Sequence, residues 1–147
     1  MPDGALVDER LNEILQKSGL SLLLVSIINL DVFRDAYGFV ASDDVMRAIS
    51  LMIHNAMREV GSADDFVGHL TPTDFAMMIA SENLPALQDR VRTRLEQSLD
   101  YFYPIKDRDQ ASKSKNRLAI KVVELPKISG NFDGVDALKK ELLRLIR

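Results

Sequence analysis

The order of apolar and polar positions along the chain predicts several amphipathic helices. Apolar residues recur at helical spacing from Ala5 to Ser18, from Ser42 to Val60 and again after Asn83. They mark one face of each helix, because residues three and four apart lie on the same side of an α-helix. A last helix is predicted from Val135 to Arg147, with Asp133 placed to cap it. Each predicted helix therefore has one apolar face to bury.

Four short segments have the pattern of strands. Leu20 to Asn29 is almost entirely apolar and rich in Val, Ile and Leu, which is typical of a central strand buried on both faces. Phe66 to Leu70 and Phe75 to Ile79 flank a polar break that contains proline, and they predict an antiparallel hairpin. Arg117 to Leu125 alternates, so we expect a half-covered strand. The sequence therefore predicts a sheet around the Leu20 to Asn29 strand.

Polar residues define the remaining features. Ser42 is placed as the N-cap of its helix, with Asp43 and Asp44 in the first turn, near the positive end of the helix dipole. Most residues from Ile105 to Asn116 are charged or carry side-chain amides, which predicts an exposed loop with no core of its own.

The composition is that of one soluble globular domain. The chain has 147 residues, of which 46% are hydrophobic and 28% are charged. A net charge of -3 gives no basic surplus for nucleic-acid binding. The longest apolar run, Leu20 to Leu30, is too short to span a membrane. The absence of cysteine excludes disulfides and thiolate metal sites, and it is compatible with the cytoplasmic setting that we expect.

The segment after the predicted central strand carries a motif. It reads Asn29-Leu30-Asp31-Val32-Phe33-Arg34 and, two residues later, Tyr37-Gly38-Phe39-Val40-Ala41-Ser42-Asp43-Asp44-Val45. This segment resembles the Asp-x-Asp-x-Phe-Lys, Tyr-Gly-His and Gly-Asp-x-Val patterns of the GGDEF domain, the diguanylate cyclase family. The predicted hairpin from Phe66 to Phe75 lines up with the hairpin that carries the signature of that family.

The resemblance covers roughly Leu20 to Leu125 and implies a fold. That fold is α+β and nucleotidyl-cyclase-like with a ferredoxin-like core, in which helices cover both faces of a central, mostly antiparallel five-stranded sheet. The chain is then a single GGDEF-like domain over residues 1–147. We expect a lead-in helix in residues 1–19, the core in residues 20–125, and a connector with the C-terminal helix in residues 126–147.

The resemblance also implies where a metal site would lie, and the sequence departs from the family there. In the family, two acids hold the divalent ions that assist phosphoryl transfer from GTP. The metal positions correspond to Asn29, Leu30 and Thr73, where both acids are replaced by neutral residues. Asp74 would be catalytic only in an active enzyme, and Asp31 is more simply the cap of the next short helix.

The nucleotide positions are altered as well. Thr71-Pro72-Thr73 stands in place of the two glycines and the acid that cradle the triphosphate in the family. Arg34 matches the phosphate-contacting lysine, and Asp43 matches an acid that contacts guanine. The segment between Phe33 and Tyr37 is shorter than in the family and lacks the asparagine that reads the guanine edge. These five positions, Arg34, Asp43, Thr71, Pro72 and Thr73, form a vestigial nucleotide site.

The product-binding inhibitory site of many diguanylate cyclases is also missing. That site is an Arg-x-x-Asp motif just before the hairpin, and the matching positions here are Ser62 and Asp65. Serine cannot replace an arginine that binds guanine or phosphate through two hydrogen bonds. We therefore expect no feedback by this site.

These departures predict a catalytically inactive GGDEF-like signalling domain with a regulatory or protein-interaction role in bacteria. We expect no cofactor, no nucleic acid, and a signalling protein partner or fused sensor domain. One alternative is an active diguanylate cyclase that makes cyclic di-GMP from two GTP with Mg²⁺, Asp31 and Asp74. Another is a domain that binds GTP without turnover. The sequence leaves open whether the chain forms a homodimer.

Overall fold

A computed structural model describes residues 3–61, 65–126 and 132–147, which form ten main elements. Short 3₁₀ turns lie at Ser81–Asn83, Leu99–Phe102 and Ile105–Asp107. The helices and strands are α1 (Gly4–Gln16), β1 (Leu20–Ile28), α2 (Leu30–Tyr37), α3 (Phe39–Val60), β2 (Phe66–Thr71), β3 (Asp74–Ala80), α4 (Leu84–Ser98), α5 (Arg108–Lys113), β4 (Ala119–Leu125) and α6 (Val135–Leu145). No helix among them is long and apolar enough to cross a membrane.

The strands form one antiparallel sheet in the order β2-β3-β1-β4. Leu24 of β1 lies opposite Ala76 of β3 on one side and Val123 of β4 on the other. The expected fifth strand is wrong for the part of the chain that the structure describes. The chain between α4 and β4 forms 3₁₀ turns and α5. Residues 105–116 lack the alternating apolar residues that a strand needs.

Both faces of β1 are buried, as its almost entirely apolar sequence predicted. Leu23, Val25 and Ile27 point into the larger of two hydrophobic cores, which β1 shares with α3 and α4. Leu22 and Leu24 point into a second core shared with α1 and α6. Side chains alternate between the faces of a strand, so a strand covered on both sides must be apolar at nearly every position. The prediction of an α+β fold with helices on both faces of the sheet is confirmed.

Helix α1 packs closely on the edge strand β2. Gly68 lies in the middle of β2, where an added Cβ would lie 2.7 Å from Cγ2 of Val7 and 2.9 Å from Cε1 of Phe66. Such distances are shorter than van der Waals contact, so glycine at this position allows the helix to approach the sheet.

One predicted helix start and one predicted cap residue are wrong. Helix α3 begins at Phe39 rather than after Ser42, because Gly38 adopts a positive φ of 93° that ends α2 and begins α3 within one residue. Ser42 is buried inside α3, and its hydroxyl donates to the carbonyl oxygen of Phe39 at 3.1 Å. The residue at the N-cap of α6 is Gly134 and not Asp133.

The expected exposed loop from Ile105 to Asn116 is also wrong in part, since it contains a 3₁₀ turn and α5. The Tyr37 hydroxyl donates to Oδ2 of Asp107 at 2.8 Å, and Nε of Arg108 donates to the carbonyl oxygen of Tyr103 at 3.1 Å. Ala111 is half-buried against the larger core. These contacts give the polar segment a fixed position beside α2.

Candidate functional site

The end of β1 and the turn of the β2–β3 hairpin meet at one end of the sheet. Ser26 of β1 lies opposite Asp74, the first residue of β3. One residue further, the backbone N–H of Ile27 donates to the carbonyl oxygen of Thr73 at 3.0 Å. Since Asn29 follows β1 directly, the structure brings the predicted metal positions of strand and hairpin to the same place.

The hairpin turn is closed by its own side chains. The Thr71 hydroxyl donates to Oδ2 of Asp74 at 2.5 Å and accepts a hydrogen bond from the backbone N–H of Thr73 at 3.3 Å. Asp74 is only 7% exposed. Pro72 carries no backbone N–H, so it cannot donate to a ligand. The carboxylate nearest the turn is thus already hydrogen-bonded within the turn.

His69 supports the turn from the β2 side. Its Nδ1 lies 3.2 Å from the carbonyl oxygen of Thr71, so the Nδ1 proton is the donor of this bond. The imidazole ring packs on Phe75 with ring centroids 4.6 Å apart. Partial burial lowers the pKa of His69 below its ordinary value of 6.5. The neutral ring is thereby favoured near neutral pH.

Asn29 connects β1 to α2 in an unusual backbone conformation. It is the N-cap of α2, with φ 67° and ψ 24° in the left-handed region. Its side-chain amide donates from Nδ2 to the carbonyl oxygen of Arg117 at 2.9 Å. Asp31 is exposed in the first turn of α2 and is not the cap, which corrects its predicted role. The Leu30 side chain is buried in the larger core.

The two predicted nucleotide contacts of α2 and α3 lie outside the turn. The Arg34 guanidinium lies 5.3 Å from the ring centroid of Phe39, a cation–π distance, and the Phe39 side chain is 71% exposed. Asp43 is exposed in the second turn of α3, one turn later than predicted. Asp44, next to it, forms an ion pair with Arg47 at 3.5 Å.

At the positions of the inhibitory motif, Ser62 lies outside the described residues. The Asp65 carboxylate packs against Gly61, where an added Cβ would lie 2.1 Å from Oδ2 of Asp65. Within the described ranges, no group of three or more His, Asp or Glu side chains lies close enough together to hold a metal ion.

Sequence reasoning missed the contacts that join distant segments here. The Asn29 bond to Arg117 spans 88 residues, and the Tyr37 bond to Asp107 spans 70 residues. No local pattern predicts either of them. The only sequence signal near the second contact is the aromatic run Tyr101-Phe102-Tyr103, which indicates that the following segment is anchored to the core.

A four-stranded antiparallel sheet with helices on both faces, and a strand–hairpin junction at one end, defines the nucleotidyl-cyclase-like class of α+β domains. Residues 5–119 match the family model described as diguanylate cyclase, GGDEF domain. The chain therefore belongs to the GGDEF family.

Solved structures from this family share the fold. The GGDEF domain of YfiN (TpbB) from Pseudomonas aeruginosa is 18% identical with a TM-score of 0.66, and the alignment covers 99% of this chain and 88% of that one. The GGDEF domain of DgcB from Caulobacter crescentus, in complex with c-di-GMP, is 15% identical with a TM-score of 0.62, covering 95% of this chain and 80% of that one.

A longer relative is the S helix-GGDEF-EAL structure of LapD from Vibrio cholerae, bound to c-di-GMP. It is 15% identical with a TM-score of 0.61, and the alignment covers 97% of this chain but only 29% of that one. At these identities the likeness shows the fold alone. No curated protein matches the sequence significantly.

Proposed function

We propose that this chain is a catalytically inactive GGDEF domain that acts as a regulatory or protein-interaction module in bacterial cyclic di-GMP signalling, in the cytoplasm. The observation that carries the proposal is the state of the two metal positions. Asn29 and Thr73 are neutral, and the Asn29 side-chain amide donates a hydrogen bond to the Arg117 carbonyl oxygen.

The donors present fit a magnesium ion poorly. Mg²⁺ binds through hard oxygen ligands, most often one or two carboxylates together with the phosphates of the substrate. Asp74 is the nearest carboxylate to the turn, but it is almost fully buried and its Oδ2 accepts a hydrogen bond from the Thr71 hydroxyl. Burial and this bond hold the carboxylate within the turn. We therefore expect no resident metal, and the reaction of the family lacks its two acidic ligands here.

The turn is also poorly shaped for a triphosphate. A phosphate cradle needs backbone N–H groups that a ligand can approach closely, and glycine supplies this access. Pro72 has no N–H, and the N–H of Thr73 donates to the Thr71 side chain. Both changes remove donors from the place where phosphates would bind.

A second candidate function is nucleotide binding without turnover. Asp43 is exposed in the second turn of α3, and the Arg34 side chain is partly exposed on α2. In the family these positions contact guanine and phosphate. They leave a cation and an acid for a ligand even though the metal positions are lost.

The partner of such a module is a signalling protein or a fused domain. LapD, one of the similar structures, combines an S helix, a GGDEF domain and an EAL domain in one chain. An analogous arrangement would let this domain transmit a signal through its surface rather than through a product.

The test is a synthesis assay with GTP and either Mg²⁺ or Mn²⁺. We expect no cyclic di-GMP above the level of heat-denatured protein, while an active diguanylate cyclase in the same buffer gives product. Product that disappears in the Asp74→Ala variant would overturn the proposal. Calorimetry with GTP and with cyclic di-GMP, each with and without Mg²⁺, separates a binding module from a pure protein-interaction module.

A further inference from the structure

Strand β4 forms one edge of the sheet, and the pairing of the strands shows which of its backbone groups face away from β1. The N–H of Ile27 donates to the carbonyl oxygen of Thr73, so odd-numbered residues of β1 bond to β3 and even-numbered residues bond to β4. Those even-numbered residues lie opposite odd-numbered residues of β4. The backbone N–H and carbonyl groups of Ile120, Val122 and Glu124 therefore point outward.

This outward row of backbone groups has two defined ends. The N–H of Leu118, the preceding outward-facing residue, donates to the Tyr103 hydroxyl at 2.8 Å. At the other end, Pro126 has no N–H to donate. Between these ends, the three outward-facing residues make no backbone hydrogen bond to any other residue in the described ranges. The free edge is thus three residues long in outward-facing groups, and Val122 is its centre.

The two edges of the sheet differ in their regularity. At the opposite edge, the pairing of β2 with β3 is irregular between His69 and Thr71, and irregularities of this kind protect an edge from further pairing. Strand β4 keeps one register with β1 over all seven residues, and five of the seven are apolar and only half-buried. A regular apolar edge with free backbone groups is a surface for strand pairing.

We propose that β4 pairs with β4 of a second copy of this chain, antiparallel and centred on Val122. A second copy fits because the free edge is complementary to itself. In this register Val122 lies opposite the second copy's Val122, and Ile120 lies opposite its Glu124. All outward-facing residues then form hydrogen-bonded pairs, with about six bonds between the chains. The two four-stranded sheets join across a two-fold axis, a contact that uses neither the hairpin nor a metal and goes beyond the proposed function.

Neighbouring registers use the edge less well. A shift by two residues in one direction places Lys121 opposite Lys121 of the second copy, and like charges opposite each other destabilise a strand pair. The shift in the other direction places Ile120 opposite Pro126, which cannot donate. A shift by one residue pairs outward-facing with inward-facing residues and breaks the ladder. In the centred register Lys121 lies opposite Val123, so no like charges meet.

The direct test is sedimentation velocity of the wild-type protein from micromolar to millimolar concentration, where we expect a monomer–dimer equilibrium. Glu124→Pro removes one outward N–H from each chain and keeps the bonds to β1, so it should raise the dissociation constant by about tenfold or more. Glu124→Ala is the matched control, because it removes the exposed side chain but keeps the N–H, and it should dimerise like the wild type. A monomer at every concentration, or equal effects of the two substitutions, would overturn the proposal.

Single cysteines test the register, since the chain has no cysteine of its own. Val122→Cys should form a disulfide-linked dimer under mild oxidation, because opposite Cα atoms in a hydrogen-bonded pair are about 5.5 Å apart, within disulfide range. Ile120→Cys and Glu124→Cys should each fail to cross-link with themselves, because equivalent positions would be about 14 Å apart along the strands. A mixture of these two variants should cross-link.

Two outcomes of the cysteine experiment would contradict the assignment. Self-linkage of Glu124→Cys as fast as its linkage to Ile120→Cys would mean a different register. A dimer in sedimentation without a Val122→Cys cross-link would mean that the copies meet through another surface. Circular dichroism and denaturant unfolding of each variant show whether the fold is kept, and the Glu124→Cys variant changes an exposed side chain only.

Discussion

The Asp74 carboxylate accepts a hydrogen bond from the Thr71 hydroxyl inside the hairpin turn. A few side chains of this kind determine what this end of the sheet can bind. Three features carry the proposed loss of a magnesium–triphosphate site: a neutral Asn29, a neutral Thr73 and a proline at position 72. Asn29 lies between β1 and α2, whereas Pro72 and Thr73 lie together in the hairpin turn. Repair of any one of them leaves the others in place.

The first prediction follows from this separation. Replacing Thr71-Pro72-Thr73 with Gly-Gly-Asp should give no cyclic di-GMP synthesis, because the turn regains backbone N–H groups and one acid while Asn29 still supplies no charge. A missing charged ligand is worth several kcal/mol of charge stabilisation, so one acid does not replace two. Product formation is measured with GTP and Mg²⁺.

The control for that experiment adds Asn29→Asp to the replaced turn. This combination should bind Mg²⁺ measurably by calorimetry before any turnover appears, and Asn29→Asp alone should bind it less. Synthesis by the turn variant alone would show that the loss of function has a single cause, contrary to the structure of the site proposed here.

A second residue-scale prediction concerns Gly68. The Gly68→Ala variant should lower the free energy of unfolding by about 1–3 kcal/mol, because the new methyl group would overlap Val7 and Phe66 and force α1 away from β2. Chemical denaturation measures the change. Gly134→Ala is the matched control, since a Cβ there meets no atom within 4 Å and its φ of 176° is open to any residue. Equal effects of the two substitutions would refute the close approach.

At the scale of elements, α5 is a short polar helix whose position depends on contacts with neighbouring elements. Asp107, the residue directly before α5, accepts a hydrogen bond from the Tyr37 hydroxyl of α2. Burial and the neighbouring Asp107 carboxylate raise the pKa of the Tyr37 phenol above its ordinary value of 10.0. The folded state therefore holds this proton more tightly than the unfolded chain does.

This difference gives a prediction with a defined pH window. Below pH 10 the wild-type protein should be more stable than Tyr37→Phe by about 1 kcal/mol, the value of a partly exposed hydrogen bond to a charged group. As the pH rises above 10, the unfolded chain loses the phenol proton first, and the advantage of the wild type should shrink. Denaturant unfolding between pH 8 and pH 11 measures both limits.

The matched control is Tyr101→Phe. Tyr101 is 71% exposed and lies beside Arg108, away from the bond. Its substitution should change stability little at any pH in this range. A Tyr37→Phe difference that stays constant up to pH 11 would show that the phenol proton is not part of the bond.

At the scale of the whole molecule, the two cores depend on the central strand. Ile27→Ala should lower the free energy of unfolding by about 2–5 kcal/mol, because Ile27 is 5% exposed in the larger core and its loss leaves a cavity. Ile28→Ala is a control of the same chemistry one residue away, where the side chain is 37% exposed. We expect its effect to be below about 1 kcal/mol. Similar losses at both positions would contradict the orientation of β1.

The parts of the fold that were predictable have strong local signals. The almost entirely apolar run of β1 predicts a strand that is buried on both faces, and the proline-containing break between β2 and β3 ends both strands. The start of α3 was placed wrongly because Ser42 has the chemistry of a cap, whereas the backbone of Gly38 starts the helix earlier. A cap residue and a glycine compete locally, and sequence alone does not rank them.

The features of the fold that the sequence did not predict depend on contacts between distant parts of the chain. Helix α5 has one inward apolar residue, Ala111, too little for a periodic pattern, and its position depends on Tyr37. The convergence of Asn29 with Thr73 and Asp74 could be predicted because an antiparallel strand places its start beside the end of its neighbour. The bond from Asn29 to the backbone of Arg117 could not be predicted, since it depends on how β4 begins.

Asn29 is the only non-glycine residue with a positive φ in the part of the chain that the structure describes. This conformation costs most residue types roughly 1–2 kcal/mol, but glycine, asparagine and aspartate adopt it readily. Bulky or branched replacements of Asn29 therefore lower the stability of the fold, and this cost applies whether or not the domain has an activity. An asparagine codon becomes an aspartate codon through a single nucleotide substitution. The strained connection between β1 and α2 thus keeps an evolutionary route to a carboxylate open at Asn29, whatever the present function of the domain.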